Sequence, residues 1–269
     1  MKGFKSSLDK DTIYLMNIGY WNINKKDFDQ IGEYIIDLIY DKKLDLLLLS
    51  EFENVNSLIF EKHLPNDYQI VKGGDICTKV MAIKRKSSDL VVCTESLRHL
   101  LLKSSNKDIV IVGLHLSDRR NYPKPDKRRE EINDILESVK TTKSSNVVFV
   151  GDFNCMPYDE ELTYSSGMHA VLFKKEMQRE QEGKEKHYNP MLLLLNEKDE
   201  LYGTYRYLDA IHPIYWYTFD QVIVSKNLMN SISNINFLKN IKGKSLMSNK
   251  DTTPYISDHL PLVFEMGEK

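Results

Sequence analysis

Short apolar runs recur along the chain, and several stop abruptly on a charged or amide residue. Ile13–Trp21 reads as a strand with bulky residues on both faces, followed by polar Asn22, Asn24, Lys25 and Lys26. Asp27 is placed to N-cap a helix, because Phe28, Ile31, Ile35, Ile36, Leu38 and Ile39 recur at near-helical spacing. Leu44–Leu49 is a continuous apolar run suited to a strand covered on both faces, and it ends in Ser50-Glu51. Tyr68–Val71, Val80–Lys84, Asp89–Cys93, Ile109–Leu114, Val147–Val150, Val222–Val224 and Leu260–Phe264 read as further strands, and Arg128 to Val139 as a helix. Lys84-Arg85-Lys86 reads as a surface turn at a strand end, and Glu176–His187 as a polar, mobile stretch. Strands and helices alternate early and strands dominate late, which predicts α/β layers with mixed sheets. With no internal linker and no repeat of fixed period, residues 1–269 read as one domain behind a tail of about residues 1–11.

The stretch "VVFVGDFN" (147–154) poses the chemical question. A turn accounts for its Gly and Asn but poorly for Asp152, since Asp, Phe and Asn in a row are a weak turn signal. The alternative is a strand that delivers polar side chains into a crevice at its C-terminal end, where open α/β sheets place their sites. Three apolar runs meet Glu51, His115 and Asp152, and the last strand is preceded by Asp258-His259. A strand core is a costly place for unpaired charge, so these residues are expected just past the strand ends. Each alone is ordinary loop chemistry. Several acids and an Asn converging on one edge need compensation, and hard oxygen ligands suit Mg²⁺ or Mn²⁺.

Composition adds bounds rather than direction. A 41% hydrophobic content supports a sizeable core, 28% charged is ordinary, and the net charge of −2 favours no partner class. Cys77, Cys93 and Cys155 have no paired spacing, which points to a reducing compartment and, for Cys155, to packing rather than zinc. Met1-Lys-Gly-Phe-Lys lacks the apolar run of a signal peptide, and the longest apolar run is far too short to span a bilayer. A soluble cytoplasmic protein with no membrane partner is the expectation, and the abundance of Lys, Asn and Ile suggests an AT-rich bacterial genome.

The ordered blocks "YWNIN" (20–24), "LLLLSEF" (46–52), "IVIVGLHL" (109–116), "VVFVGDFN" (147–154), "TFDQVIVS" (218–225) and "YISDHLPLVF" (255–264) resemble the endonuclease/exonuclease/phosphatase superfamily, from about residue 13 to 264. "SSGMHAV" (165–171) and "HYNPMLLLL" (187–195) resemble a little-characterised bacterial branch of it. The resemblance implies a four-layer α/β sandwich, two mixed β-sheets packed face to face with helices on the outside. It also implies Mg²⁺- or Mn²⁺-dependent hydrolysis of a phosphoester. Carried over by motif, Asn22, Glu51 and Asp258 are the metal-site residues, with Glu51 the main ligand. Asp152 and Asn154 position the attacking water and the phosphate, His259 contacts the phosphate or acts as base with Asp220 holding its imidazole, and His115 donates to a phosphate oxygen or to the leaving group. Asn17 is a second candidate for the first-strand asparagine, and Trp21 before Asn22 favours Asn22. Thr218-Phe219 and Gln221 depart from the residues common around Asp220 in relatives.

Substrate is the less determined part. Arg119, Arg120, Lys124, Lys127, Arg128 and Arg129, with Tyr122 among them, could track a phosphate backbone and stack a base, but Asp118, Asp126, Glu130 and Glu131 dilute that charge and a solvated face competes. Tyr215, Trp216 and Tyr217 read as core or rim packing, and Asn189 in "YNP" as a turn or a substrate contact. The reading is a metal-dependent phosphodiesterase, most simply a nuclease acting on DNA or RNA. The alternatives are a phosphatase for a small molecule or lipid headgroup, and a non-catalytic binding module that keeps the fold.

Overall fold

The structure is a computed structural model that describes residues 15–71, 76–121, 123–179, 185–194, 203–207, 216–248 and 253–267; the expected tail lies outside these. In chain order the first half comprises β1 (Leu15–Asn22), α1 (Phe28–Asp41), β2 (Leu46–Ser50), α2 (Ser57–His63), β3 (Tyr68–Val71), β4 (Val80–Arg85), β5 (Leu90–Glu95), β6 (His99–Ser104), β7 (Val110–His115) and α3 (Asp126–Thr142). The second half adds β8 (Val147–Asp152), α4 (Glu160–Thr163), β9 (Ala170–Val171), α5 (Lys174–Met177), β10 (His187–Tyr188), β11 (Tyr205–Arg206), β12 (Trp216–Tyr217), β13 (Asp220–Ser225), β14 (Ile232–Phe237), β15 (Asn240–Ile241), β16 (Lys244–Ser245) and β17 (Leu262–Gly267).

Two large mixed sheets result. One has the order β14-β17-β1-β2-β4-β3 and the other β5-β6-β7-β8-β13-β10-β9. The pairs β1/β2 and β7/β8 are parallel, whereas β17 and β13 run antiparallel to their neighbours. Alternation along each strand sorts the core. Ile18, Tyr20, Leu46 and Leu48 meet Ile111, Val148, Val150 and Val222 between the sheets. Leu47, Leu49 and Ile83 face Ile31, Ile35 and Leu38 of α1, and Val110, Val112 and Phe149 face Ile132 and Ile135 of α3. The layers are therefore helix, sheet, sheet, helix, as the resemblance implied. Each fully buried aliphatic side chain contributes roughly 1.5–3 kcal/mol against exposure.

Local signals explain the element ends. Asp27 caps α1 in a reciprocal box with Gln30, as the polar residues before the apolar repeat suggested. Several boundaries differ from the sequence reading. His115 and Asp152 are the last residues of β7 and β8 rather than lying beyond them, because their main chains still pair in the parallel ladder. The expected surface turn is half wrong: Lys84 is buried, and its ammonium is held by the carbonyls of Ser88 and Leu90 at 2.8 and 2.5 Å. His187, placed by the sequence reading in a mobile stretch, is buried in β10 with its Nδ1 2.7 Å from the Met168 carbonyl. No described helix is long and apolar enough to cross a membrane.

Candidate active site

The topology brings four strand ends together. β1 and β2 run in parallel and finish at Asn22 and Ser50; β7 and β8 do the same at His115 and Asp152 in the facing sheet. β13 enters from the opposite direction, so its first residue, Asp220, pairs with Asp152. The segment before β17 then adds Asp258 and His259, tied down by Ser257 Oγ donating to the Asn22 carbonyl at 2.7 Å and by Trp21 Nε1 donating to the His259 carbonyl at 2.9 Å.

Backbone conformation aims two of these side chains. Glu51 and Asn154 both have left-handed backbones, φ 51° and 50°. Each costs a non-glycine residue on the order of 1 kcal/mol or more and persists because the surroundings fix it. Gly151 answers why glycine precedes Asp152. A Cβ there would lie 1.9 Å from the Leu114 carbonyl oxygen, and its φ of +157° disfavours any side chain. Glycine lets β8 approach β7 closely enough to set Asp152 beside His115.

Asp152 is the centre. Its Oδ2 accepts from Asn22 Nδ2 at 3.1 Å, while Oδ1 accepts from the Asn154 N–H at 2.8 Å. The Nε2 atoms of His115 and His259 stand 3.8 and 3.9 Å from Oδ2, too far for direct hydrogen bonds. Asn22 Nδ2 also donates to Glu51 Oε1 at 3.3 Å, and His115 Nε2 lies 3.7 Å from the same oxygen. His259 Nδ1 donates to Asp220 Oδ2 at 2.7 Å.

The charges follow from burial. Burial opposes a proton on His259, but Asp220, then Asp152 and Asp258, overcome it and raise its pKa to about 10. Burial, reinforced by the negative charge of Asp220, raises Asp152 to about 7 against the pull of His259. Burial drives His115 down to about 3, with Arg98, His259 and Lys79 adding to it. His259 is thus an imidazolium and His115 a neutral ring, so the approaches of His115 to the two carboxylates are not ion pairs.

Two acidic groupings compete for a cation. Asp152, Asp220 and His259 offer ligand atoms within 4.8 Å of one another. That trio already contains its positive charge, and the Nδ1 of the imidazolium is committed to Asp220. Glu51 is different: among the described residues no lysine or arginine pairs with it, and it meets an amide and a neutral imidazole. Glu51 supplies a hard oxygen of the kind a divalent ion takes, and the Asn22 amide beside it turns Nδ2 to Glu51 and Asp152 while its Oδ1 accepts from the Asn24 N–H at 3.0 Å. On the ground of charge, Glu51 fits a cation better than the trio does.

The structure therefore gathers Asn22, Glu51, His115, Asp152, Asn154, Asp220, Asp258 and His259 at one edge. Asn17 lies near the other end of β1, bound to Lys43 and Asp45. A cavity of about 560 Å³ lined by Asn17, Lys42, Asn236 and Lys239 is also at that far end, away from these residues.

The expected phosphate track is corrected. Arg128 is buried and grips Glu161 through Nε and Nη2 at 2.8 and 2.7 Å. Arg129 pairs with Glu160 at 2.9 Å, and Arg119 binds Asp159 and donates to the Asn154 carbonyl at 3.1 Å. Half of the basic cluster thus staples the loop to Asp159-Glu160-Glu161 instead of facing solvent or substrate. Arg120, with its side chain 85% exposed, is a solvent-facing cation that acts on Tyr205 beside His259, and Tyr122 lies outside the described residues. Asn189 is fully buried with both ends of its amide engaged, so it makes no substrate contact. Tyr215 also lies outside the described residues. Tyr217 is half-buried against Phe219, and Tyr205 packs on the His259 ring at 4.8 Å between centroids.

Some supporting residues were not anticipated. Tyr20 and Ser50 share a 2.5 Å hydrogen bond under the cleft, and Thr204 Oγ1 accepts from the Asp220 N–H at 3.3 Å. Glu131 of α3 holds the main chain of Ser117 at 2.8 Å and approaches Arg98 Nε at 3.4 Å. Ser50 and Trp21, adjacent to motif residues, were the accessible signals; Thr204 and Glu131 carried none.

A family model described as Endonuclease/Exonuclease/phosphatase family matches residues 102–265, more than half of the chain. The chain belongs to this family. By family it is a metal-dependent phosphoesterase. Among solved structures, D. rerio TDP2 complexed with single strand DNA product is 16% identical, with a TM-score of 0.60 over 95% of this chain and 99% of that one. The 3' phosphatase NExo from Neisseria, bound to a product DNA hairpin, is 16% identical with a TM-score of 0.53, covering 93% and 99%. A Bacteroides thetaiotaomicron protein of the same family is 13% identical with a TM-score of 0.59, covering 96% of each chain. At these identities the likeness is one of fold. No curated protein matches the chain.

Proposed function

We propose that this protein is a nuclease that hydrolyses phosphodiester bonds of DNA or RNA with Mg²⁺ or Mn²⁺. The observation that carries the chemistry is the ring of groups around Asp152 Oδ2. Two imidazole Nε2 atoms stand 3.8 and 3.9 Å away, so that one oxygen bound in front of either pair would lie within hydrogen-bond reach of both the ring and the carboxylate. A divalent ion held by Glu51, Asn22 and Asp258 would neutralise phosphate charge and polarise the ester.

The side chains supply the rest. Asp152, raised toward neutrality, takes the proton of the attacking water at Oδ2. Asn154 Nδ2 is tied to the Leu116 carbonyl at 2.9 Å, which leaves Oδ1 to orient that water. His259, an imidazolium anchored by Asp220, donates Nε2–H to a phosphate oxygen where negative charge grows. Neutral His115 donates Nε2–H on the other flank, toward a phosphate or leaving-group oxygen.

The nuclease reading over a small phosphoester rests on the cleft and on the relatives. Arg98 and Lys79, although paired with Glu131 and Glu53, act electrostatically on His115, and exposed Arg120 acts on Tyr205, so positive charge reaches the site from three residues. Two relatives of the same fold are described with bound DNA. The test is cleavage of labelled single- and double-stranded DNA and RNA with Mg²⁺, Mn²⁺ or EDTA. Metal-dependent cutting of a polymer is expected. Turnover confined to nucleotides or sugar phosphates would overturn the nuclease reading.

A further inference from the structure

The loop after β8 carries the strained Asn154, and groups from other segments anchor its main chain. The Phe153 N–H donates to the Phe219 carbonyl at 2.9 Å, and Arg119 Nε donates to the Asn154 carbonyl at 3.1 Å. The Cys155 carbonyl accepts from Gln221 Nε2 at 2.6 Å. Gln221 is fully buried, and its other amide atom, Oε1, accepts from Asn189 Nδ2 at 2.8 Å. Asn189, equally buried, accepts in turn at Oδ1 from the Met191 N–H at 3.0 Å, while its own N–H donates to the Val171 carbonyl at 2.9 Å.

This is a relay of two amides with a main-chain group at each end. A carbonyl can only accept and an N–H can only donate, so the ends fix which way both amides point. The Cys155 carbonyl requires Nε2 of Gln221, which leaves Oε1 for Asn189; the Met191 N–H requires Oδ1 of Asn189, which leaves Nδ2 for Gln221. No other arrangement satisfies all four groups away from water, and a buried amide left unsatisfied is strongly disfavoured. A fully satisfied pair of buried amides gains little net stability over apolar packing of the same shape, and what it specifies is a single orientation for the Cys155 peptide. That peptide follows Asn154, whose N–H binds Asp152. Gln221 also pairs through its backbone with Gly151, and its neighbour Asp220 with Asp152.

We propose that Gln221 and Asn189 are positioning residues that hold Asn154 and Asp152 in their reactive geometry from the far side of the seven-stranded sheet. The "HYNP" segment thus acts on the loop rather than on substrate. The inference rests on the hydrolytic reading of the site, and the test separates the two. Gln221→Asn and Asn189→Gln each break the relay by length while keeping a polar amide; the double exchange restores both amides and their combined length. A soluble nitrophenyl phosphodiester with Mn²⁺ reports kcat and KM. Native-state hydrogen exchange at the Asn154, Cys155 and Met156 amides reports loop order without any need for activity.

Each single variant is expected to lose on the order of ten-fold or more in kcat with KM within about two-fold, because misplacement affects chemistry more than ground-state binding. Exchange at the loop amides accelerates in both. The double exchange recovers most of the lost kcat and slows exchange again. Wild-type kcat and exchange in the single variants, or a double variant no better than either single, would overturn the proposal. If the wild type turns over no phosphodiester, the hydrolytic reading fails, and the exchange data alone decide whether the relay orders the loop.

Discussion

Asp220 and His259, 39 residues apart in sequence, share a 2.7 Å hydrogen bond that leaves Nε2 of the ring facing the cleft. Asp220 is fully buried, and its second oxygen has no hydrogen-bond partner among the described residues, so its interaction is directed at the imidazole. The pair fixes the tautomer, the ring orientation and the charge of His259 together.

Asp220→Asn should show this in a pH profile. The raised pKa of about 10 keeps His259 protonated, and donating, up to alkaline pH. Removing the Asp220 charge lowers that pKa, so activity should fall away at lower pH in the variant, by one or more units. The rate at neutral pH should drop by about 10²-fold. An unmoved alkaline limb would contradict the assigned role.

Gly151→Ala should be poorly tolerated. The added carbon meets the Leu114 carbonyl at 1.9 Å between two hydrogen-bonded parallel strands, where neither backbone can move away without breaking the ladder. A loss of about 2–4 kcal/mol in denaturant unfolding is expected. Wild-type stability would mean that β7 and β8 are farther apart than described.

Arg120→Ala and Arg128→Ala should part company. Arg120 is an exposed cation near the cleft, so its loss should weaken polynucleotide binding modestly and reduce the salt slope by about one. Arg128 neutralises buried Glu161, so its loss should cost about 3–5 kcal/mol of stability. Binding titrations and thermal melts separate the two outcomes.

His99 gives the fold an acid sensitivity. Its ring lies between Ser96 Oγ at 2.8 Å and Ser138 Oγ at 3.2 Å, and burial lowers its pKa from 6.5 to about 4. The unfolded chain then binds a proton between these values that the folded chain does not. This contribution is complete above pH 6.5 and is lost as pH falls toward 4. It should amount to about 1–2 kcal/mol after allowance for solvent screening. Unfolding free energies of His99→Asn should be flatter with pH over that window.

Much of this molecule was legible because its apolar runs are short and end on chemistry. Leu44–Leu49 running into Glu51, and Val147–Val150 into Gly151-Asp152, marked strands and a candidate site together, while the close backbone approach at Gly151 was read only as a turn. What was hidden depends on pairing across the sequence. Arg128 looks like one more cation in a basic loop until Glu161, 33 residues later, folds beneath it. Asn189 looks like an Asn-Pro turn until Gln221 arrives beside it. β6 (His99–Ser104) escaped notice because a histidine opens it and a lysine precedes its end, and Thr204 because its one telling contact is with a backbone amide.

The most direct test of the account is metal-dependent phosphodiester cleavage by wild type and by Asp152→Ala, with folding of both confirmed by circular dichroism. Wild type should cut in Mg²⁺ or Mn²⁺ and stop in EDTA, and the variant should be slower by about 10³-fold or more while remaining folded. A folded Asp152→Ala protein that cuts at the wild-type rate would place the chemistry elsewhere in the molecule.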